Sequence, residues 1–204
     1  MSKAIIIVDF AYKSPKNGKS LREILKYVQY RDQRNNHLAQ RDGYQRWQDH
    51  GMGCNFRQID QHCHALQSPH VLAWTWVISP APDLMALVPE KQRQHLMNEL
   101  TERVVEDYYL QRGFVIPEYS YVQHRARTQD DQEHRHTHVI LPGTAPDVAD
   151  RIPVYNNKSE KHDALFREIA TQHFADLLDE SIGQDWRLHR EQERATPSIG
   201  GLSL

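Results

Sequence analysis

The spacing of apolar residues changes period along the chain, and the changes mark out its elements. Residues 4–10 (AIIIVDF) form a short apolar run that reads as a buried strand. SPKNGKS at 14–20 reads as a turn. Ser20 is placed to cap a helix running to about Arg34, with Glu23 at the capping-box position. Leu21, Ile24, Leu25 and Val28 fall at i, i+3, i+4 and i+7 and give that helix one apolar face. Residues 35–53 are polar and read as a long loop, and 55–66 as a short helix. VLAWTWVISP (71–80) is a strand ended by Pro80. Residues 90–112 form a long helix stopped by Gly113.

Two further strands follow, PEYSYVQH (117–124) and RHTHVILP (135–142), with a charged hairpin loop at 125–134. Residues 160–180 are an amphipathic helix whose apolar positions include Leu165, Ile169, Phe174, Leu177 and Leu178. The expected fold is therefore α+β, an antiparallel or mixed central sheet with helices packed on one face. One domain is expected over 1–194, with a flexible tail at 195–204.

Composition narrows the class. Hydrophobic content of 39% and charged content of 25% are those of an ordinary globular protein. No apolar stretch reaches the length of a membrane span. Two cysteines are too few for a disulfide framework, so a reducing cytoplasm is the expected location. Net charge is −2, but it is unevenly spread. Residues 1–48 hold ten Lys and Arg against four Asp and Glu, while the remainder holds 15 against 23. A basic N-terminal quarter suits contact with a phosphate backbone, although charge asymmetry alone is common.

The chemistry concentrates in histidine. His136 and His138 lie two apart on an expected strand, so both project from one face. His124 ends the preceding strand, and hairpin pairing would bring it opposite that pair. Three converging imidazoles suit Zn, Mn, Ni, Co or Fe. Three protein ligands also leave positions open for a substrate oxygen, as catalytic rather than structural sites do. With 13 histidines in the chain, some such pairs arise by chance. Against chance, a strand that spends two inward positions on histidine needs a reason.

His124, followed by His136-Thr137-His138-Val139-Ile140-Leu141, resembles the histidine cluster of conjugative relaxases, members of the HUH endonucleases. Thr137 stands where the family is normally hydrophobic, and Ala126 where many relaxases carry an aspartate. The order of parts is also similar: a strand and tyrosine-bearing helix, a strand ending in Ser-Pro, a long helix, then the histidine hairpin. The resemblance covers roughly residues 4–180. It implies an HUH-type fold and an enzyme that nicks single-stranded DNA at an origin of transfer through a tyrosine nucleophile. That reaction leaves a 5′-phosphotyrosine link and a free 3′-hydroxyl. The resemblance further implies a divalent ion, Mg²⁺ or Mn²⁺ first and Zn²⁺ or Ni²⁺ as alternatives. Its expected partners are origin DNA and accessory proteins of a plasmid-mobilisation relaxosome.

LKYVQYR (25–31) is similar to the tyrosine segment of relaxases. With Leu21 at zero on the helical wheel, Val28 falls at about −20°, Tyr27 at about −120° and Tyr30 at about 180°. On this reading Tyr27 borders the apolar face and is the preferred nucleophile, and Tyr30 points away but stays a candidate. Some relaxases use a histidine instead, which keeps His37 open. Lys13, Lys16, Lys19, Lys26, Arg31 and Arg34 surround this segment and are candidate phosphate contacts. Tyr44 and Trp47, with Arg41 and Arg46, could stack single-stranded bases, or Trp47 could anchor the loop on the core.

Other readings compete. A replication initiator shares the fold and chemistry of a relaxase. A histidine-triad nucleotide hydrolase would read His134, His136 and His138 as its motif, but Arg135 and Thr137 break the expected hydrophobic alternation. A double-stranded β-helix oxygenase would need a carboxylate near the His-x-His pair and more strands. A DNA-binding accessory protein could keep the sheet without the chemistry. Cys54, His62, Cys63 and His64 match no zinc-finger spacing, and no phosphate-binding glycine loop is present.

Overall fold

The computed structural model describes residues 4–30, 46–127, 132–145 and 160–188, apart from the side chains of 17–19, 127 and 160–162. In chain order the elements are β1 (Ile6–Lys13), α1 (Gly18–Tyr30), β2 (Gln48–His50), α2 (Phe56–Ala65) and β3 (Ala73–Pro80). They continue with α3 (Pro82–Leu87), α4 (Glu90–Leu110), β4 (Tyr119–Arg127), β5 (Glu133–Pro142) and α5 (Glu160–Ile182). The five strands make one sheet in the order β1-β3-β5-β4-β2, and every neighbouring pair is antiparallel. This is the expected α+β class, with the sheet antiparallel rather than mixed. No described helix is long and apolar enough to cross a membrane.

Strand alternation assigns each face its own layer. Val8, Trp74, Trp76, Ile78, Tyr121, Val139 and Leu141 point to one side, where α4 and α5 cover them. There the Trp76 ring meets Tyr108, Tyr109 and Phe166 at 5.3, 5.9 and 4.8 Å. Ala73, Val122 and Ile140 point to the other side and pack with Leu21, Leu25 and Val28 of α1 and with Phe56, Ile59 and Cys63 of α2. Helices therefore lie on both faces, not on one as expected. Periodicity shows which stripe of a helix is apolar; it does not say which face of the sheet the stripe meets.

Several boundaries also moved. α1 begins at Gly18, directly after a 3-10 turn at Pro15–Asn17, so Ser20 lies inside the helix instead of capping it. The expected continuation to Arg34 falls outside the described residues, as does the 195–204 tail. β2 lies in the stretch read as a loop. Its three residues are all polar and carry no hydrophobic signal, and the strand forms by pairing with β4. His50 lies flat on Tyr119 there, 4.3 Å between ring centroids. α2 matches expectation, its start fixed by Asn55, whose side chain accepts from the backbone N–H groups of Arg57 and Gln58. The hairpin strands run on to Arg127 and from Glu133, so the connecting loop is shorter than 125–134.

Two contacts hold β5 in place. Beyond its end, Gly143 lies so close to the segment entering β3 that a Cβ would come 2.0 Å from the Val71 carbonyl oxygen. That oxygen is itself fixed by the Ser68 N–H at 2.8 Å. At the other end, Glu133 gathers Arg135 (2.8 Å), Arg93 (3.0 Å) and Arg125 (3.7 Å). Burial pushes the Glu133 carboxyl up, but hydrogen bonds from Arg135 and Arg93 and the charges of Arg135 and Arg125 outweigh it and hold it below the usual carboxylate range.

Two outcomes follow. Gly143→Ala is expected to lower stability by roughly 1–3 kcal/mol, read from its urea midpoint, because the clash is with backbone that cannot turn aside. Glu133→Gln is expected to cost about 1–3 kcal/mol at neutral pH, since it leaves the buried Arg135 guanidinium without its carboxylate. A carboxyl with a lowered folded pKa stabilises above its unfolded value, near ~4.3, and loses that contribution as pH falls through the folded value. The gap between wild type and Glu133→Gln is therefore expected to close in acid.

Candidate metal centre

The register of β4 on β5 builds the site. His124 pairs directly with His136, and Val122 with His138. Even-numbered residues on both strands project to the α1 side, so His124, His136 and His138 share one patch of the face that Val122 and Ile140 bury. Their ring centroids lie 5.3, 4.8 and 5.1 Å apart. One ring nitrogen from each falls within 4.8 Å of the others. Zn–N bonds of about 2.0–2.1 Å allow two ligand nitrogens to stand up to ~4.2 Å apart, so small side-chain rotations would close the set around one ion. His124 and His136 are buried and His138 is half-buried.

The donors are all imidazoles, a set that suits Mn²⁺, Co²⁺, Ni²⁺ or Zn²⁺ better than Mg²⁺, which prefers oxygen. Among the described residues this is the one cluster that could hold a metal. Cys63 is not a competitor. Burial first, and then the charge of Asp60, pushes its thiol far above the ordinary range. His62 is engaged by Glu118 at 2.6 Å and His64 by Asp60 at 3.8 Å.

Odd-numbered residues between the histidines serve the opposite layer. Thr137 is buried against α4, where its hydroxyl lies 3.1 Å from that of Thr101, which gives its one proton to the Met97 carbonyl at 2.7 Å and can accept from Thr137. The departure from a hydrophobic residue at this position is thus matched by a hydroxyl on the facing helix.

α1 reaches the site through its backbone, since the Val28 carbonyl oxygen lies 2.6 Å from His124 Nε2. The two tyrosines of this helix reverse the expectation from the wheel. Tyr27 is 44% exposed, whereas Tyr30 is half-buried with its ring 6.2 Å from Phe56. The reason is a second partner: α1 packs on α2 as well as on the sheet, and α2 takes up the direction in which Tyr30 points. Trp47 anchors on the core, its Nε1 donating to Gln29 Oε1 at 3.2 Å, so it is not a platform for bases. Lys16 and Lys26 are exposed and Lys13 half-buried, while the Lys19 side chain, Arg31, Arg34, His37, Arg41 and Tyr44 lie outside the described residues.

Sequence reasoning missed Ser79 and Asp9 as neighbours of the cluster and took His134 only as part of a rival motif. His134 is on the same face, its ring 5.3 Å from His136 and its Nε2 2.6 Å from Ser79 Oγ. Asp9 pairs with Val77, and Val77 with His138, which places an exposed carboxylate in the same row of the sheet. Ile7 (65% exposed), Asp9 and Ala11 leave the β1 side of this face uncovered by any described residue. Alternation within β1 marks Asp9 as facing away from Val8; only the strand order brings it beside β3 and β5.

No protein-family model and no curated protein sequence matches the chain. Among solved structures, the conjugative relaxase TrwC, metal-bound and in complex with oriT DNA, matches at 11% identity and a TM-score of 0.49. That match covers 96% of this chain and 73% of the other. A likeness at that level assigns no function, which has to stand on the residues themselves.

His136→Ala and His138→Ala are each expected to weaken Zn²⁺ or Mn²⁺ binding at least tenfold in a calorimetric titration, because two imidazoles alone hold a divalent ion poorly. His62→Ala, outside the cluster, is expected to leave the same titration unchanged.

Proposed function

We propose that the protein is a metal-dependent single-strand DNA endonuclease and strand transferase of the relaxase kind, acting through a tyrosine of α1. One observation carries this reading. Three imidazoles converge on one sheet face, and the helix that holds the tyrosines is hydrogen-bonded to one of them. The contact supports the reading because it ties a candidate metal cluster to the candidate nucleophile segment.

In the proposed reaction the tyrosine phenol oxygen attacks a phosphodiester phosphorus. A P–O bond to tyrosine forms, the bond to the 3′ oxygen breaks, and the phenol proton passes to solvent or to a nearby base. A divalent ion held by His124, His136 and His138 would polarise the phosphate oxygens and offset developing charge. Tyrosine ordinarily ionises near pH ~10, so it needs that assistance at neutral pH. Tyr27 loses the support of the apolar face and is kept first as the exposed phenol next to Val28, with Tyr30, whose ring is engaged with Phe56, as the alternative. The uncovered β1 side of the face gives an extended strand access to His138. Lys13, Lys16 and Lys26 are available for its phosphates, and single-stranded DNA is the proposed partner.

The test is covalent capture. The protein is incubated with labelled single strands spanning candidate transfer or replication origins, with Mn²⁺ present, and resolved under denaturing conditions. A protein–DNA adduct is expected from wild type and from Tyr30→Phe, and none from Tyr27→Phe or His136→Ala. An adduct that survives Tyr27→Phe and disappears in Tyr30→Phe moves the nucleophile to Tyr30. No adduct from any strand, together with turnover of nucleotide phosphoramidates, sinks the nicking reading in favour of a histidine-triad hydrolase.

A further inference from the structure

We infer that Gln29 is a positioning residue for the metal centre: it holds the Val28 carbonyl against His124 Nε2, so that His124 offers Nδ1, not Nε2, to the ion. The inference rests on the metal reading of the three histidines and adds the choice of ligand atom and what enforces it.

The contact between Val28 O and His124 Nε2 is 2.6 Å. A carbonyl oxygen has lone pairs and no proton, so Nε2 must be the donor. A neutral imidazole protonated at Nε2 carries its in-plane lone pair on Nδ1. Metal-binding histidines commonly fix their tautomer in this way, by giving the other ring N–H to a carbonyl or carboxylate. Here the acceptor comes from a helix on a different layer, so the tautomer depends on where that helix sits.

Gln29 determines that position. It is 4% exposed, yet it is polar. Its side-chain Oε1 accepts the indole N–H of Trp47 at 3.2 Å and the backbone N–H of Phe56, the first residue of α2, at 2.7 Å. Its backbone carbonyl accepts from Arg46 Nη1 at 3.1 Å. Three donors from the segment before β2 and from the start of α2 thus meet on the residue next to Val28. A purely apolar contact would favour leucine there. A buried amide that collects N–H groups otherwise left without acceptors is the reason for glutamine. The flanking Val28 side chain is buried in the same cluster, which leaves its carbonyl little freedom to turn from His124.

The experiment is long-range ¹H–¹⁵N correlation on histidine-labelled protein, with the His124 signals identified by their loss in His124→Gln. In metal-free wild type, His124 is expected as the Nε2–H tautomer. On adding Zn²⁺, its Nδ1 resonance is expected to move while Nε2 keeps its proton. Gln29→Leu, close in volume but without the acceptor, is expected to mix the His124 tautomers and to lower Zn²⁺ affinity 10- to 100-fold. Gln29→Glu, which keeps an oxygen for both N–H groups, is expected to restore the tautomer and most of the affinity. A His124 proton on Nδ1 in wild type, or Zn²⁺ bound through Nε2, overturns the inference whatever the variants do. So does a Gln29→Leu protein with unaltered tautomer and affinity. Absence of Zn²⁺ binding with the Nε2–H tautomer intact would instead bring down the metal reading, and the ligand assignment with it.

Discussion

The antiparallel register of β4 on β5 is the constraint from which the rest of the site follows. With His124 opposite His136, alternation sends three imidazoles to one face and Arg135 and Thr137 to the other. A slip of one residue would exchange the two sets, burying imidazoles against α4 and turning a guanidinium toward α1. The hairpin is held against such a slip from both ends, by the Glu133 cluster at its tip and by the Gly143 approach to Val71 beyond its exit. Each β5 residue at the centre is therefore specified twice, once by its own layer and once by the neighbours that exclude the alternative register.

Two layers on one sheet also explain why the strand bearing the histidines carries so few ordinary strand residues. His136 and His138 face the cluster shared with α1, while Thr137 between them meets a hydroxyl from α4. Thr137 is tolerated at this depth because its hydroxyl finds a matched partner in Thr101. The apolar work is displaced along the strand to Val139, Ile140 and Leu141 and across it to Trp74, Trp76 and Val122.

Much of this was legible in the chain. The histidine triad followed from two residues of spacing and one hairpin, because strand periodicity is local and strict. The short helix at 55–66 and the stop after α4 at Gly113, whose φ of +72° suits glycine, were both visible. What stayed hidden depended on distant partners. Gln48, Asp49 and His50 become a strand because β4 offers its edge, not through any propensity of their own. Tyr30 looked solvent-facing until α2 supplied Phe56. Asp9 and Ser79 join the histidine face through the strand order, which no window of sequence contains, whereas His134 joins it by alternation because β5 starts earlier, at Glu133. Gln29 carries no signal in its own stretch of sequence, because its three donors come from residues 17 to 27 places away.

The Val28 carbonyl on His124 joins two events that could otherwise be separate. Because the end of α1 and one ligand of the proposed ion share a hydrogen bond, their free energies are linked. Whatever steadies α1 raises the affinity of the histidines for an ion, and by thermodynamic reciprocity an ion in place steadies α1 by the same factor. A nucleic acid strand drawing on that helix would loosen the ion, and an ion already seated would resist the pull. If the histidines hold the proposed ion, its occupancy and the position of the tyrosine helix would form a single two-way equilibrium, with one buried backbone oxygen as its coupling element.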